Sequence, residues 1–188
     1  MEITTNCGKT VTLEPNADLT GLDLSGLDLS RLYLIDANLE NCNLKNCNLE
    51  GACLRYANLT GANLTGANLT GAELHRADLT DADLTGAVLE NVDLTYSYLK
   101  NCNLKNINLK GAHLRDANLE NAYLTGAYLK NADLGNAYLR DANLENANLE
   151  NADLRNAFLR GAHLRDANLF RANLENARFN LEYKLTKI

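Results

Sequence analysis

The side chains that could act as nucleophiles, acid–base groups or metal ligands in this 188-residue chain are few and dispersed. Serine occurs only at Ser25, Ser30 and Ser97, none in a nucleophile-elbow pattern, and the histidines are His75, His113 and His163. Glu73 and His75 lie two residues apart, which puts both on one side of an extended segment. Carboxylate beside imidazole is the chemistry of divalent-cation capture, and a solvated charged face is the competing reading. The five cysteines form no Cys-x-x-Cys pair, and neither a phosphate loop nor zinc-ligand spacing occurs. No catalytic, cofactor-binding or metal-ligating residue is therefore assigned, and no cofactor is expected. The chemistry that remains is recognition by aromatic and guanidinium groups. Its candidates are Tyr56, Arg76, Tyr96, Tyr98, Tyr123, Tyr128, Tyr138 and Phe158.

What positions these residues is a repeat. A leucine falls on every fifth residue from Leu19 to Leu174, and Phe179 takes the next place, giving 33 consecutive five-residue units. On an α-helix five residues rotate the chain by roughly 500°, so the leucines would spiral around every side. In one continuous strand an odd spacing sends alternate leucines to opposite faces. A single core results only if each unit is a very short strand followed by a bend. The small residue two before each leucine, usually Ala, then points the same way as the leucine. The residue two after it is mostly Gly, Asn or Asp, which tolerate left-handed backbone angles. The residues immediately before and after each leucine read as solvent-facing. The product is a solenoid with a narrow Leu/Ala column inside.

Units such as Ala62-Asn63-Leu64-Thr65-Gly66 and Ala152-Asp153-Leu154-Arg155-Asn156 resemble the pentapeptide-repeat family, whose consensus is close to Ala-(Asp/Asn)-Leu-X-X. The resemblance implies an all-β fold, a right-handed quadrilateral parallel β-helix of about eight coils with four pentapeptides in each. At ~4.8 Å between stacked strands the rod would be roughly 40 Å long. The expected domains are an amino-terminal cap (1–16), the β-helix (17–180) and a carboxyl-terminal cap (181–188).

With twenty residues per coil, positions twenty apart stack. Tyr56, Arg76 and Tyr96 then form a corner column, either a stiffening surface ladder or an interaction patch. Tyr98, Tyr138 and Phe158 share one face, interrupted by Asn118, and with Tyr123 and Tyr128 they form an exposed aromatic group. These read as cross-strand pairs or as a partner surface. His113 joins Glu73, Asp93, Asp133 and Asp153 in an outward column.

The departures from the consensus carry further expectations. Cys42, Cys47 and Cys102 take the place of Ala and should be buried, whereas Cys53 lies on the outside and Cys7 in the amino-terminal cap. Val92, Ser97, Cys102 and Ile107 replace Ala through one full coil, predicting a local widening or a change of turn type, with Ser97 pointing inward. Leu22, Leu27 and Leu32 are placed to plug the amino-terminal end. The segment around Asn6-Cys7-Gly8-Lys9 reads as a hairpin or strand pair. Leu181, Leu185 and Ile188 share a helical face, while Phe179, Leu181, Tyr183 and Leu185 alternate as in a strand; in the resembled family such a cap can also make a homodimer.

The sequence has no long apolar run and no basic-then-apolar start, so a cytoplasmic location without membrane contact is expected. Residues 1–94 hold 5 Lys/Arg and 14 Asp/Glu, and residues 95–188 hold 13 and 10, so a −9 half joins a +3 half. The function read from all this is a non-enzymatic scaffold that presents its faces to an unknown protein partner, with no direct nucleic-acid binding. The alternative comes from the resemblance: a DNA mimic that binds DNA gyrase or topoisomerase and modulates quinolone sensitivity. Mimicry requires acid spread along the rod, and here it is concentrated in the first half.

Overall fold

The backbone hydrogen bonds of one unit explain the repeat. In Ala57-Asn58-Leu59-Thr60-Gly61, Ala57 N–H donates to Leu54 O (3.1 Å), closing the turn behind it. Asn58 N–H donates one coil back to Ala37 O (3.0 Å), and Leu59 N–H and Gly61 N–H donate one coil forward to Asp78 O (2.6 Å) and Thr80 O (2.9 Å). The fifth donor, Thr60 N–H, is taken by Asn58 Oδ1 (3.1 Å). Every N–H of the unit is thus paired, as buried backbone requires. Asn or Asp before leucine is therefore a structural part, because its side-chain oxygen caps the residue two ahead.

This computed structural model describes residues 2–4, 8 and 10–179. From Asp18 to Arg178, bridges join each residue before a fifth-position leucine to the residue twenty later, always in parallel. A coil is therefore four units and twenty residues, with four flat sides. Each corner holds its third turn residue at positive φ, for example Tyr56 at 61°. A closing i→i+3 bond with a positive angle only at that residue is the type II turn.

The core is one continuous column. Every fifth-position leucine from Leu19 to Leu159 is at most 2 % exposed, and the alanines between them from Ala37 to Ala157 are equally covered. At the amino end, β1 (Glu2–Thr4) pairs antiparallel with β2 (Thr10–Thr12), Ile3 opposite Val11. Ile3, Val11, Leu22, Leu27 and Leu32 pack on the end of the column, and Leu13 is buried within it. The anticipated strand pair and leucine plug are both present. Cys7 and the expected cap at 181–188, with Leu181, Tyr183, Leu185 and Ile188, lie outside the described residues.

One expectation changes. Cys53 sits in an outward row but is only 6 % exposed, and its thiol lies 3.4 Å from Glu73 Oε2. The longer side chain one coil up covers it. Of the two outcomes expected for the Val92–Ile107 coil the structure shows local widening, with the same positive φ kept at Asn91, Tyr96, Asn101 and Asn106. Its extra volume is taken up by stretching: the Val92 turn bond is 3.4 Å, and the Gly86–Lys105 and Asn108–Ala87 bonds reach 3.3 Å. Ser97 points inward and donates to Leu94 O at 2.6 Å.

Candidate functional site

The corners carry the strongest local conflict in the chain. Among the described residues, 23 non-glycine residues have positive φ, and all but Arg31, Tyr56, Arg76, Tyr96 and Arg171 are Asn or Asp. Left-handed backbone costs an ordinary side chain on the order of 1 kcal/mol. Three of these five exceptions stack in one column, as the repeat predicted. The Arg76 guanidinium carbon lies 5.9 Å from the Tyr56 ring centre and 5.5 Å from that of Tyr96, within cation–π range of both.

His75 completes this corner and was not assigned to it from the sequence. Its ring meets Tyr56 and Tyr96 edge-on, with centroids 6.0 and 5.6 Å away. Its Nδ1 lies 2.6 Å from Thr95 Oγ1, and the Thr95 hydroxyl donates to Asp93 Oδ1 at 2.7 Å. A hydroxyl has one proton, so Nδ1–H is the donor to Thr95. The available signal was position: His75 precedes Arg76 and stands one coil before Thr95.

The adjoining face runs Asp78, Tyr98, Asn118, Tyr138, Phe158, Arg178. Tyr138 and Phe158 are stacked, 4.7 Å between centroids and 1° from parallel, and Arg178 lies 4.7 Å over the other side of Phe158. Phe158 was expected among the exposed aromatics and is instead partly buried between these neighbours. Tyr98 and Tyr138 stay open to solvent. A tyrosine here has no oxygen placed to cap the N–H two residues ahead, so each also gives up a turn bond of about 1 kcal/mol. Corner and face enclose one groove of about 750 Å³, walled by Tyr56, Arg76, Tyr96, Tyr98 and Tyr138, with Asp116, Asn118 and Glu120 between.

Tyr123 and Tyr128 do not join it. They bridge Asn103 and Asn108, on the two other faces, because units five apart turn to successive sides. Tyr123 instead carries the Lys105 ammonium 5.5 Å above its ring. Sequence reading also passed over Tyr33 and Phe170, exposed by 70 % and 60 %. Both were visible as aromatics in polar places.

The fourth face holds Tyr33, Cys53, Glu73, Asp93, His113, Asp133, Asp153 and Asn173 in a column. No group of three His, Cys, Asp or Glu among the described residues is arranged to hold a metal ion. Of its four acids, Asp93 accepts from Thr95, and three are matched with arginines: Arg55–Glu73 at 3.5 Å, Arg115–Asp133 at 3.1 Å and Arg155–Asp153 at 2.5 Å. Gly135 leaves room for this, since a Cβ there would sit 3.3 Å from the Arg115 guanidinium. Hydrogen bonds from Arg155 hold the Asp153 carboxyl below the usual carboxylate range. Burial pushes the thiols of Cys42 and Cys102 up to about 11 and about 12, which makes them poor nucleophiles at neutral pH.

The family model for pentapeptide repeats matches in eight copies, over segments 16–51, 33–71, 72–111, 107–146 and 147–180. Among solved structures, HetL, a pentapeptide repeat protein involved in heterocyst differentiation regulation from the cyanobacterium Nostoc sp. strain PCC 7120, is 31 % identical. That match covers 89 % of this chain and 88 % of HetL, with a TM-score of 0.50. Trypsin-treated QnrB1, a plasmid-mediated fluoroquinolone resistance protein, is 20 % identical over 89 % of this chain and 88 % of its own, with a TM-score of 0.63. At that identity the likeness is one of fold, the right-handed β-helix. No curated protein matches this chain.

Proposed function

This chain belongs to the pentapeptide-repeat family, and we propose that it is a non-enzymatic, cytoplasmic scaffold that recognises a protein partner through the Tyr56–Arg76–Tyr96 corner and the adjoining groove. One observation carries the reading. Tyr56, Arg76 and Tyr96 hold left-handed backbone angles in a single column, although Gly, Asn or Asp serve this role at nearly every other corner. Local rules broken at a backbone cost that the column's own ring and cation–π contacts only about offset are expected at functional sites. Tyr and Arg are also the residue types enriched where binding energy concentrates. The test is capture of partners by wild type, Arg76→Glu and Tyr96→Ala. Loss of a captured protein in both variants supports the reading, and an unchanged set of partners overturns it.

The DNA-mimic reading, with gyrase as partner, draws on the acidic first half of the chain. Against it, the acid does not continue along the rod: residues 95–188 carry 13 Lys/Arg against 10 Asp/Glu, and there Asp133 and Asp153 have arginines within 3.5 Å. A supercoiling assay with purified gyrase, with and without quinolone, decides: no effect at large excess of this protein sinks mimicry. Homodimerisation through the carboxyl-terminal segment is a separate proposal, checked by light scattering of the full chain against one ending at residue 180. Among the described residues no helix is long and apolar enough to cross a membrane.

A further inference from the structure

The aromatic face is a ladder with a missing rung. Tyr138, Phe158 and Arg178 follow one another a single coil apart, each planar group 4.7 Å from the next. Below Tyr138 the next rung is Asn118, too short to cover the ring, and the one below that is Tyr98. Two coils separate Tyr98 from Tyr138, roughly 9.6 Å at the usual strand spacing. One planar group inserted midway would lie about 4.8 Å from each ring, inside the stacking range of about 4.5–7 Å. The exposed sides of Tyr98 and Tyr138 both line the groove, with Asn118 as its floor.

Charge selects the occupant. Asp116 and Glu120 line the same groove, one from the corner before Asn118 and one just after Leu119, so a carboxylate stands at each edge of the face. Neither takes part in an ion pair among the described residues. Of the nearby cations, Arg76 lies between Tyr56 and Tyr96, Arg140 is held by Asp141 at 3.2 Å, and Lys100, one coil below Glu120, makes no ion pair with it. A flat group with positive charge fits both the slot and its rim, and the guanidinium is the side chain that combines the two. The chain already shows this pairing where Arg178 caps Phe158.

We infer that Tyr98, Asn118 and Tyr138 form a slot for an arginine side chain of the partner protein, its guanidinium sandwiched between the two rings and neutralised by Asp116 and Glu120. This rests on the reading of the groove as a protein-recognition surface and names what that surface recognises. Above Tyr138 the rungs Phe158 and Arg178 are filled from within the chain, so the slot below it is where an outside group adds contacts without displacing any.

The experiment is an NMR titration of isotope-labelled protein with the amidated, acetylated tripeptide Gly-Arg-Gly, alongside its Lys and Phe counterparts. The arginine peptide should shift the Tyr98, Asn118 and Tyr138 signals saturably, with the lysine peptide weaker. Asn118→Tyr fills the slot with a residue the face already carries on both sides, and should weaken the arginine peptide about tenfold. Equal shifts in wild type and Asn118→Tyr, no saturable shift in wild type, or tighter binding of the phenylalanine peptide would each overturn the proposal. The two readings separate cleanly. If a captured protein is lost in Arg76→Glu but kept in Asn118→Tyr, the interaction surface stands and the arginine slot falls.

Discussion

Replacing Leu99 by Asp places a carboxyl in the middle of the column, between Leu79 and Leu119 one coil to either side. All three are at most 1 % exposed. Two losses combine. Removing the buried leucine costs about 2–3 kcal/mol of apolar burial. The carboxyl has no partner in the Leu/Ala interior, so its pKa in the folded state should rise by about 3–5 units, to a value near 8. At pH 7 the folded chain then has to take up a proton that the unfolded chain, with an ordinary pKa near 3.9, does not hold. That uptake costs about 4 kcal/mol at about 1.4 kcal/mol per pH unit. The total, about 6–7 kcal/mol, is comparable with the whole stability of an ordinary domain. Because the folded pKa is the higher one, the penalty grows as pH rises from the unfolded to the folded value and fades as pH falls. Urea unfolding followed by circular dichroism, referenced to wild type at each pH, should show the variant recovering about 2.7 kcal/mol between pH 7.5 and 5.5. Leu99→Asn suffers the burial loss without titrating, so its deficit should stay flat. A wild-type midpoint for Leu99→Asp at pH 7 would refute the inward assignment of these leucines. A flat pH profile for Asp would refute the charge-burial argument.

Three further outcomes follow from the same geometry. The thiols of Cys42 and Cys102, raised to about 11 and about 12 by burial, should resist alkylation at pH 8 in the folded protein and react on unfolding; rapid native labelling, read by mass spectrometry, would contradict their placement. The triple variant Tyr56→Asn, Arg76→Asn, Tyr96→Asn relieves backbone cost of about 3 kcal/mol in all, and loses ring and cation–π contacts of similar size. Its stability should stay within about 1 kcal/mol of wild type, and a loss above about 3 kcal/mol would make the column structural instead. Arg155→Ala should let the Asp153 pKa return upward, seen by NMR titration. Since that pKa is lowered in the folded state, the stability it contributes is present at neutral pH and fades as pH falls through the carboxylate range.

Much of the candidate site was legible once the coil length was in hand. The Tyr56–Arg76–Tyr96 column and the Tyr98–Tyr138–Phe158 face both follow from counting twenties. Counting did not reveal that corner and face share one groove, because they occupy different positions within the unit and meet only where the chain turns. It also grouped Tyr123 and Tyr128 with the others by residue type, although the turns carry them to separate sides. His75 was missed for a related reason. Its contacts are one coil away in either direction, and nothing in its own unit announces them. Cys53 shows the limit of an inside–outside rule: its row faces out, but Glu73 above it is long enough to cover it.

The amino-acid sequence by itself determined the local rules of this protein. Leucine every fifth residue with a small partner two before it settles which side chains face the axis, and Gly, Asn or Asp two after it settles where the backbone turns left-handed. Asn or Asp before it supplies the cap for the one N–H that no coil accepts. These are short-range effects, complete within five or six residues. Only the tertiary structure decided which residues are neighbours. The number of sides depends on the summed angle of successive turns, and it is closed by parallel bridges between residues twenty apart, whose hydrogen bonds join residues nineteen and twenty-one apart. That closure brings a tyrosine, an asparagine and a second tyrosine, scattered through forty residues of chain, into one slot.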